Sequence, residues 1–308
     1  MTTRRDFLKG AVLDSRDGKK WVEGMSEDLY RFQCEIDALP PAEYNKFRFS
    51  GLGLSEADKR AWFEKYPALR RYDEAYDKVF REAAETTVTG SRPAVWYVYN
   101  MGIVVKSREA LFTVDLCHRQ DALSVPLVDF ACITHNHADH FTRGTLKALD
   151  RAGKTVFNNF HCNSGAVAAG AQGGYTKRGR TYRIKDVTVQ THVTSHNYYI
   201  QDFTTAFEIT VGDFVIYHTG DSGFVHEMRP NRPHPDLFVV SGYNYIDPVD
   251  AARQVQAKRM MFAHLQELGH GINGGARSTW GRGYEGAARI REQLGLEAFV
   301  PVWGERVV

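Results

Sequence analysis

Two spacings of hydrophobic residues divide the chain near residue 90. Ahead of it, apolar side chains recur every three or four positions, which predicts helices. Ser26-Glu27-Asp28 reads as the cap of a helix carrying Leu29, Phe32, Ile36 and Leu39, stopped by Pro40-Pro41. Ser55 with Asp58 three positions on opens a second helix bearing Trp62, Phe63 and Tyr66, and a third carries Tyr72, Tyr76, Val79 and Phe80. Past residue 90 the period shortens to two, or gives way to short apolar runs. Residues 95–99 and 103–105 read as strands around a turn at Asn100-Met101-Gly102, and residues 110–114 as a third strand ending at Asp115. A buried strand over 127–133, a helix over 142–152 and a strand from Lys154 to Phe157 follow. Residues 187–196 alternate up to His196, and residues 203–211 and 214–217 form a hairpin around Gly212-Asp213. Then come a strand over 236–240, a helix through Val249, Ala252 and Val255, a strand over 259–264 and a last strand over 298–305. The pattern predicts a helical N-terminal extension, residues 1–90, and a mixed α/β domain, residues 91–308.

Composition narrows the class without naming it. With 308 residues, 43% of them hydrophobic and 25% charged, the chain can bury a sizeable core as an ordinary soluble globular protein. A formal net charge of +2 gives no reason to expect a nucleic-acid or membrane surface. Cys34, Cys117, Cys132 and Cys162 are scattered and form no CxxC pair, so they read as reduced residues of a cytoplasmic protein. Thr3-Arg4-Arg5-Asp6-Phe7-Leu8-Lys9 resembles a twin-arginine export start. The charged run from Asp14 to Lys20 leaves no apolar segment of signal length behind it, so the expected location stays cytoplasmic.

The chemistry concentrates in His135-Asn136-His137-Ala138-Asp139-His140, which follows the apolar run of 127–133 directly. Neutral imidazoles and a carboxylate suit Zn²⁺, and also Mn²⁺ or Fe. On a loop leaving a strand, His135 and His137 can share one ion while Asp139 and His140 turn toward a second. His161 and Cys162 lie one apart with nothing nearby to complete a ligand set, and read as structural. No Gly-x-Ser-x-Gly elbow occurs, which argues against a serine nucleophile. Arg277 and Arg282 are candidates for gripping an anionic substrate group by forked hydrogen bonds, with Tyr243 and His270 as candidates for the pocket rim.

The HxHxDH segment resembles the signature of the metallo-β-lactamase superfamily, whose fold is an αββα sandwich with two metals between its sheets. The resemblance implies roles for residues farther along. Asp115 would orient the metal loop and, with Asp139, belong to the catalytic set. His196 would complete the first metal's histidines, Asp221 would bridge both ions, and His264 would supply the second metal's remaining ligand. His192, four residues before His196, is a rival for that ligand role, and the strand-end position favours His196. From Tyr217 to His264 the chain looks most like the L-ascorbate-6-phosphate lactonase branch: a strand, a Gly-x-x-aromatic loop and a helix with Ala251-Ala252 precede the last histidine. The Gly-rich stretch from Gly269 to Gly275 and the Arg277/Arg282 pair depart from that branch. The implied activity is hydrolysis of a lactone, amide or phosphoester of a small molecule by metal-activated water, with Zn²⁺ as the first choice of metal. The alternative is a di-iron oxidative enzyme on the same fold. Self-association is left open.

Overall fold

In the computed structural model the described residues are 22, 24–158, 180–197, 204–242, 246–270 and 277–308. The twin-arginine stretch, His161, Cys162 and Tyr243 lie outside them. Ser26 and Ser55 cap as their sequences predict. The Ser26 hydroxyl accepts from the Leu29 amide at 3.1 Å and that of Ser55 from the Asp58 amide at 3.1 Å, opening α1 (Glu27–Asp37) and α3 (Glu56–Lys65). Between them Pro40-Pro41 ends one helix and begins another, α2 (Pro41–Phe49), which the pattern had not predicted. The reason is positional: a proline at the first helical residue lacks only an N–H that would have no helical partner there. Pro67 opens α4 (Pro67–Glu85) in the same way.

The remaining elements build two mixed sheets. The first runs β1 (Ala94–Tyr99), β2 (Gly102–Lys106), β3 (Leu111–Val114), β4 (Phe130–Cys132) and β5 (Thr155–Phe157), antiparallel up to β3 and parallel beyond it. The helix α5 (Arg143–Arg151) makes the crossover between β4 and β5. The second sheet contains β6 (Thr181–Ile184), β7 (Val187–Thr194), β8 (Thr204–Val211), β9 (Phe214–His218), β10 (Leu237–Ser241), β11 (Arg259–Ala263) and β12 (Glu297–Phe299). It is antiparallel from β6 to β9 and parallel from β9 to β12, with crossovers through α6 (Pro248–Val255) and α7 (Trp280–Leu294). No helix among the described residues is long and apolar enough to cross a membrane.

Two strands are shorter than their apolar runs. Leu127 is 49% exposed, and only Phe130–Cys132 joins the ladder, because the 3₁₀ turn over Asp121–Ser124 still occupies the chain before it. The expected last strand, 298–305, pairs with β11 only up to Phe299. The chain then crosses to the other sheet, where the amides of Val95 and Tyr97 in β1 donate to the carbonyls of Val308 and Glu305. The N-terminal helices join the same apolar core. Phe32 packs on Trp280 and Trp303 with centroids 5.0 and 4.8 Å apart, and Tyr72 on Tyr99 at 4.9 Å.

Candidate metal centre

The site is assembled at the ends of strands, starting from Asp115. It leaves β3 with φ 46°, a left-handed conformation that costs a residue with a Cβ about 1–3 kcal/mol and is held only where surrounding bonds demand it. Those bonds are present. Asp115 accepts from the Thr134 amide at 2.7 Å, the Thr134 hydroxyl at 2.7 Å and His140 Nδ1 at 2.9 Å. With its proton given to Asp115, Thr134 Oγ1 accepts from His135 Nδ1 at 2.9 Å. Both imidazoles are thereby fixed in the tautomer that leaves Nε2 as a lone-pair donor, so one carboxylate orients two candidate ligands.

These nitrogens converge on Asp221, which follows β9. Its Oδ2 lies 3.3 Å from His264 Nε2, 3.5 Å from those of His140 and His196, and 3.9 Å from that of His135. Asp139 Oδ2 lies 3.1 Å from His264 Nε2, 3.4 Å from His140 Nε2 and 3.8 Å from His270 Nε2. Three overlapping groups have ligand atoms close enough for a metal ion. They are His135, His137, His196 and Asp221; His140, Asp221 and His264; and Asp139, His264 and His270.

The charges fit a cation. Burial alone would lower His140 and His264, yet the surrounding carboxylates drive His140 well above the usual imidazole range and His264 up to about 10. Asp139 and Asp221 are held well below the usual carboxylate range by those histidines, against burial. His135, where burial dominates and His140 adds repulsion, is pushed well down. Three carboxylates thus demand positive charge at one buried point. His140 Nε2 and Asp221 Oδ1 are also buried without a hydrogen-bond partner, as atoms kept for a metal would be.

Residues 104–260, just over half of the chain, match the sequence model of the family described as "Beta-lactamase superfamily domain". The chain belongs to this superfamily. A metal-dependent hydrolase of Aeropyrum pernix is 25% identical over 154 residues, which cover 44% of this chain and 64% of that protein. The match thus spans less than two thirds of that curated relative's length. Among solved structures, the metallo-beta-lactamase fold protein YhfI of Bacillus subtilis aligns at TM-score 0.51 with 14% identity, covering 70% of this chain and 98% of that one. CmlA of Streptomyces venezuelae, a diiron beta-hydroxylase, aligns at TM-score 0.50 with 13% identity, covering 70% of this chain and 53% of that one. At such identities the likeness shows the fold, a metallo-β-lactamase sandwich.

His135, His137, Asp139, His140, His196 and Asp221 come together with His264, which lies just past the matched residues, and His192 does not join them. Four residues earlier, in β7, His192 points to the neighbouring strand, its Nε2 3.0 Å from Glu208 Oε2. His270 sits among the candidate ligands beside Asp139 and His264, closer in than a rim position. Arg277 is built into the fold instead of offering a fork to substrate. Its Nη1 donates to the Ile36 carbonyl at 2.7 Å, and its Nη2 to the carbonyls of Leu39 at 2.9 Å and Leu268 at 2.8 Å. Arg282 lines a separate cavity of about 400 Å³ with Asp247 and Arg289, and none of the clustered ligands lines that cavity.

Three supports escaped the sequence reading. Asn100 donates its side-chain N–H to Asp139 O at 2.9 Å and Oδ2 at 3.2 Å, and its own carbonyl accepts the His264 amide at 2.8 Å. Its place in the β1–β2 turn was visible, but not what that turn would meet. Glu267 accepts from Tyr99 Oη at 2.9 Å and the Gly269 amide at 2.8 Å, shaping the turn that carries His270. Arg48, from α2, donates to the carbonyls of Ala138 and Phe141 on the metal loop, and no local signal in the sequence announces it.

Proposed function

We propose that the chain is a hydrolase that uses two divalent metal ions, zinc before manganese or iron, to break an ester-like bond in a small molecule: a lactone, amide or phosphoester. The observation that carries this reading is the placement of Asp221 Oδ2 within 3.3–3.9 Å of the Nε2 atoms of four histidines, in two ligand groups at once. His135, His137 and His196 would hold one ion, Asp139, His140 and His264 the other, and Asp221 both, with His270 near the second. Divalent ions held there supply a lowered pKa for water and polarise the bond to be cut.

The chain's own residues do the rest. Asp115 and Thr134 keep His140 and His135 in the ligating tautomer. Asp139, with 16% of its side chain exposed, is the carboxylate placed to take a proton from the attacking water and return it to the leaving group. Asn100 holds that carboxylate in place through its side-chain amide.

Elemental analysis of the purified protein, before and after dialysis against chelator, tests the reading. Two equivalents of metal per chain and chelator-sensitive cleavage of a lactone or aryl ester are expected. His196→Ala should lose about one equivalent while His192→Ala retains both. A protein that takes up no divalent metal, or that turns over equally without it, would refute the proposal. Two equivalents of iron with a coloured spectrum would favour the oxidative alternative, which draws on the same ligands.

A further inference from the structure

A cavity of about 770 Å³ lies between the N-terminal helices and the metal loop, and none of the clustered ligands lines it. Arg48, Phe49 and Leu52 form one wall, Ala138 and Phe141 of the metal loop another, and Asp121 contributes a carboxyl. Its volume falls within the usual range for small-molecule sites. Its mouth is apolar in a way that solvent does not favour: Phe49 is 74% exposed and Leu52 53%.

The decisive group is Arg48. It is buried, at 6% exposure, and no carboxylate among the described residues lies within 4.0 Å of its guanidinium. Its Nη2 reaches only the Cys117 thiol at 2.8 Å and two backbone carbonyls, and its Nε is buried with no hydrogen-bond partner. Arg119, which also lines the cavity, shows the usual arrangement, its Nε answered by Asp73 at 2.8 and 3.0 Å. A buried guanidinium without a counter-ion is costly, and a ligand that supplies the charge removes that cost.

We propose that this cavity binds a small amphiphilic monocarboxylate, its apolar body between Phe49, Leu52 and Phe141 and its carboxylate on Arg48. The ligand is a molecule separate from whatever the metals bind. Because Arg48 also holds the Ala138 and Phe141 carbonyls, occupancy bears directly on the loop that carries His137, Asp139 and His140.

The test is calorimetric titration of the full chain, metal-stripped and zinc-loaded, with octanoate, and with 1-octanol and acetate as controls. Octanoate should bind both forms, and both controls about tenfold or more weakly, as expected for one charge-assisted contact added to an apolar one. Arg48→Met should weaken octanoate by about tenfold or more, and Asp121→Asn should tighten it. Leu52→Asp, at an exposed position where folding is safe, should abolish binding even if Arg48→Met fails to fold. Equal affinity for octanoate and octanol, binding only to the zinc-loaded form, or unchanged affinity in Leu52→Asp would each overturn the proposal. None of these readouts depends on hydrolysis, so the metal-centre reading stands or falls separately.

Discussion

Asp115 concentrates more of the site's order than any ligand does. Its two oxygens take three hydrogen bonds, from both donors of Thr134 and from His140 Nδ1, and its backbone is held at φ 46° to do so. Asp115→Asn keeps the shape but replaces one acceptor with a donor, so either Thr134 or His140 meets an N–H. Metal affinity should fall about 10- to 100-fold, measured by competition with a chromophoric chelator. Unchanged affinity would show that the carboxylate does not set the tautomers. Asp121 illustrates the opposite case, a buried carboxyl without a cation bonded to it. Burial pushes it up to about 6 from 3.8, although Thr142 donates to it at 3.0 Å. The folded state therefore binds its proton more tightly than the unfolded chain. This contribution to stability is full below about pH 4 and is lost as pH rises to about 6. Urea unfolding of the wild type should show a loss of about 2–3 kcal/mol across that window relative to Asp121→Asn. Parallel pH profiles for the two proteins would contradict it.

Among elements, the close approach of the β7 and β9 ends places His196 near Asp221. The turn after β9 passes so near the His196 carbonyl that a Cβ on Gly223 would overlap its oxygen, and a Cβ on Gly220, at φ 52°, would lie 2.6 Å from the Thr134 side chain. Glycine at 223 is thus required by the neighbouring strand end and not by its own turn. Gly223→Ala should push the His196 backbone aside, lowering Tm by several degrees and metal content by about one equivalent, as read by calorimetry and elemental analysis. Full metal content would mean the strand end can yield. Most elements were legible because helical and strand periods are local properties: the two serine caps, the 212–213 hairpin and α5 fall where the pattern puts them. The pattern missed α2, hidden by a proline pair that closes one helix while opening the next, and also β6 and α7, and it drew β4 and the last strand too long.

At the scale of the whole molecule, the N-terminal helices are continuous with the core of the sandwich. Phe32 fills the space between Trp280 and Trp303, and Arg277 reaches back to the carbonyls that end α1. Removing residues 1–90 should therefore expose Tyr99, Trp280 and Trp303 and give an aggregating product, while Phe32→Ala in the full chain should cost about 3–5 kcal/mol in urea unfolding. A soluble, metal-binding fragment 91–308 would show instead that the extension is an independent unit. The sequence by itself determined most of the elements and which residue types could bind metal, because hydrophobic period, capping and the HxHxDH spacing are properties of neighbours along the chain. Only the tertiary structure decided that His196 and not His192 meets Asp221, that His270 lies among the candidate ligands, that Arg277 braces the extension, and that Asn100 and Arg48 support the loop. Each of those outcomes depends on which strand ends and helices meet across the sandwich, and side chains distant in sequence leave no local trace of the partners they will find.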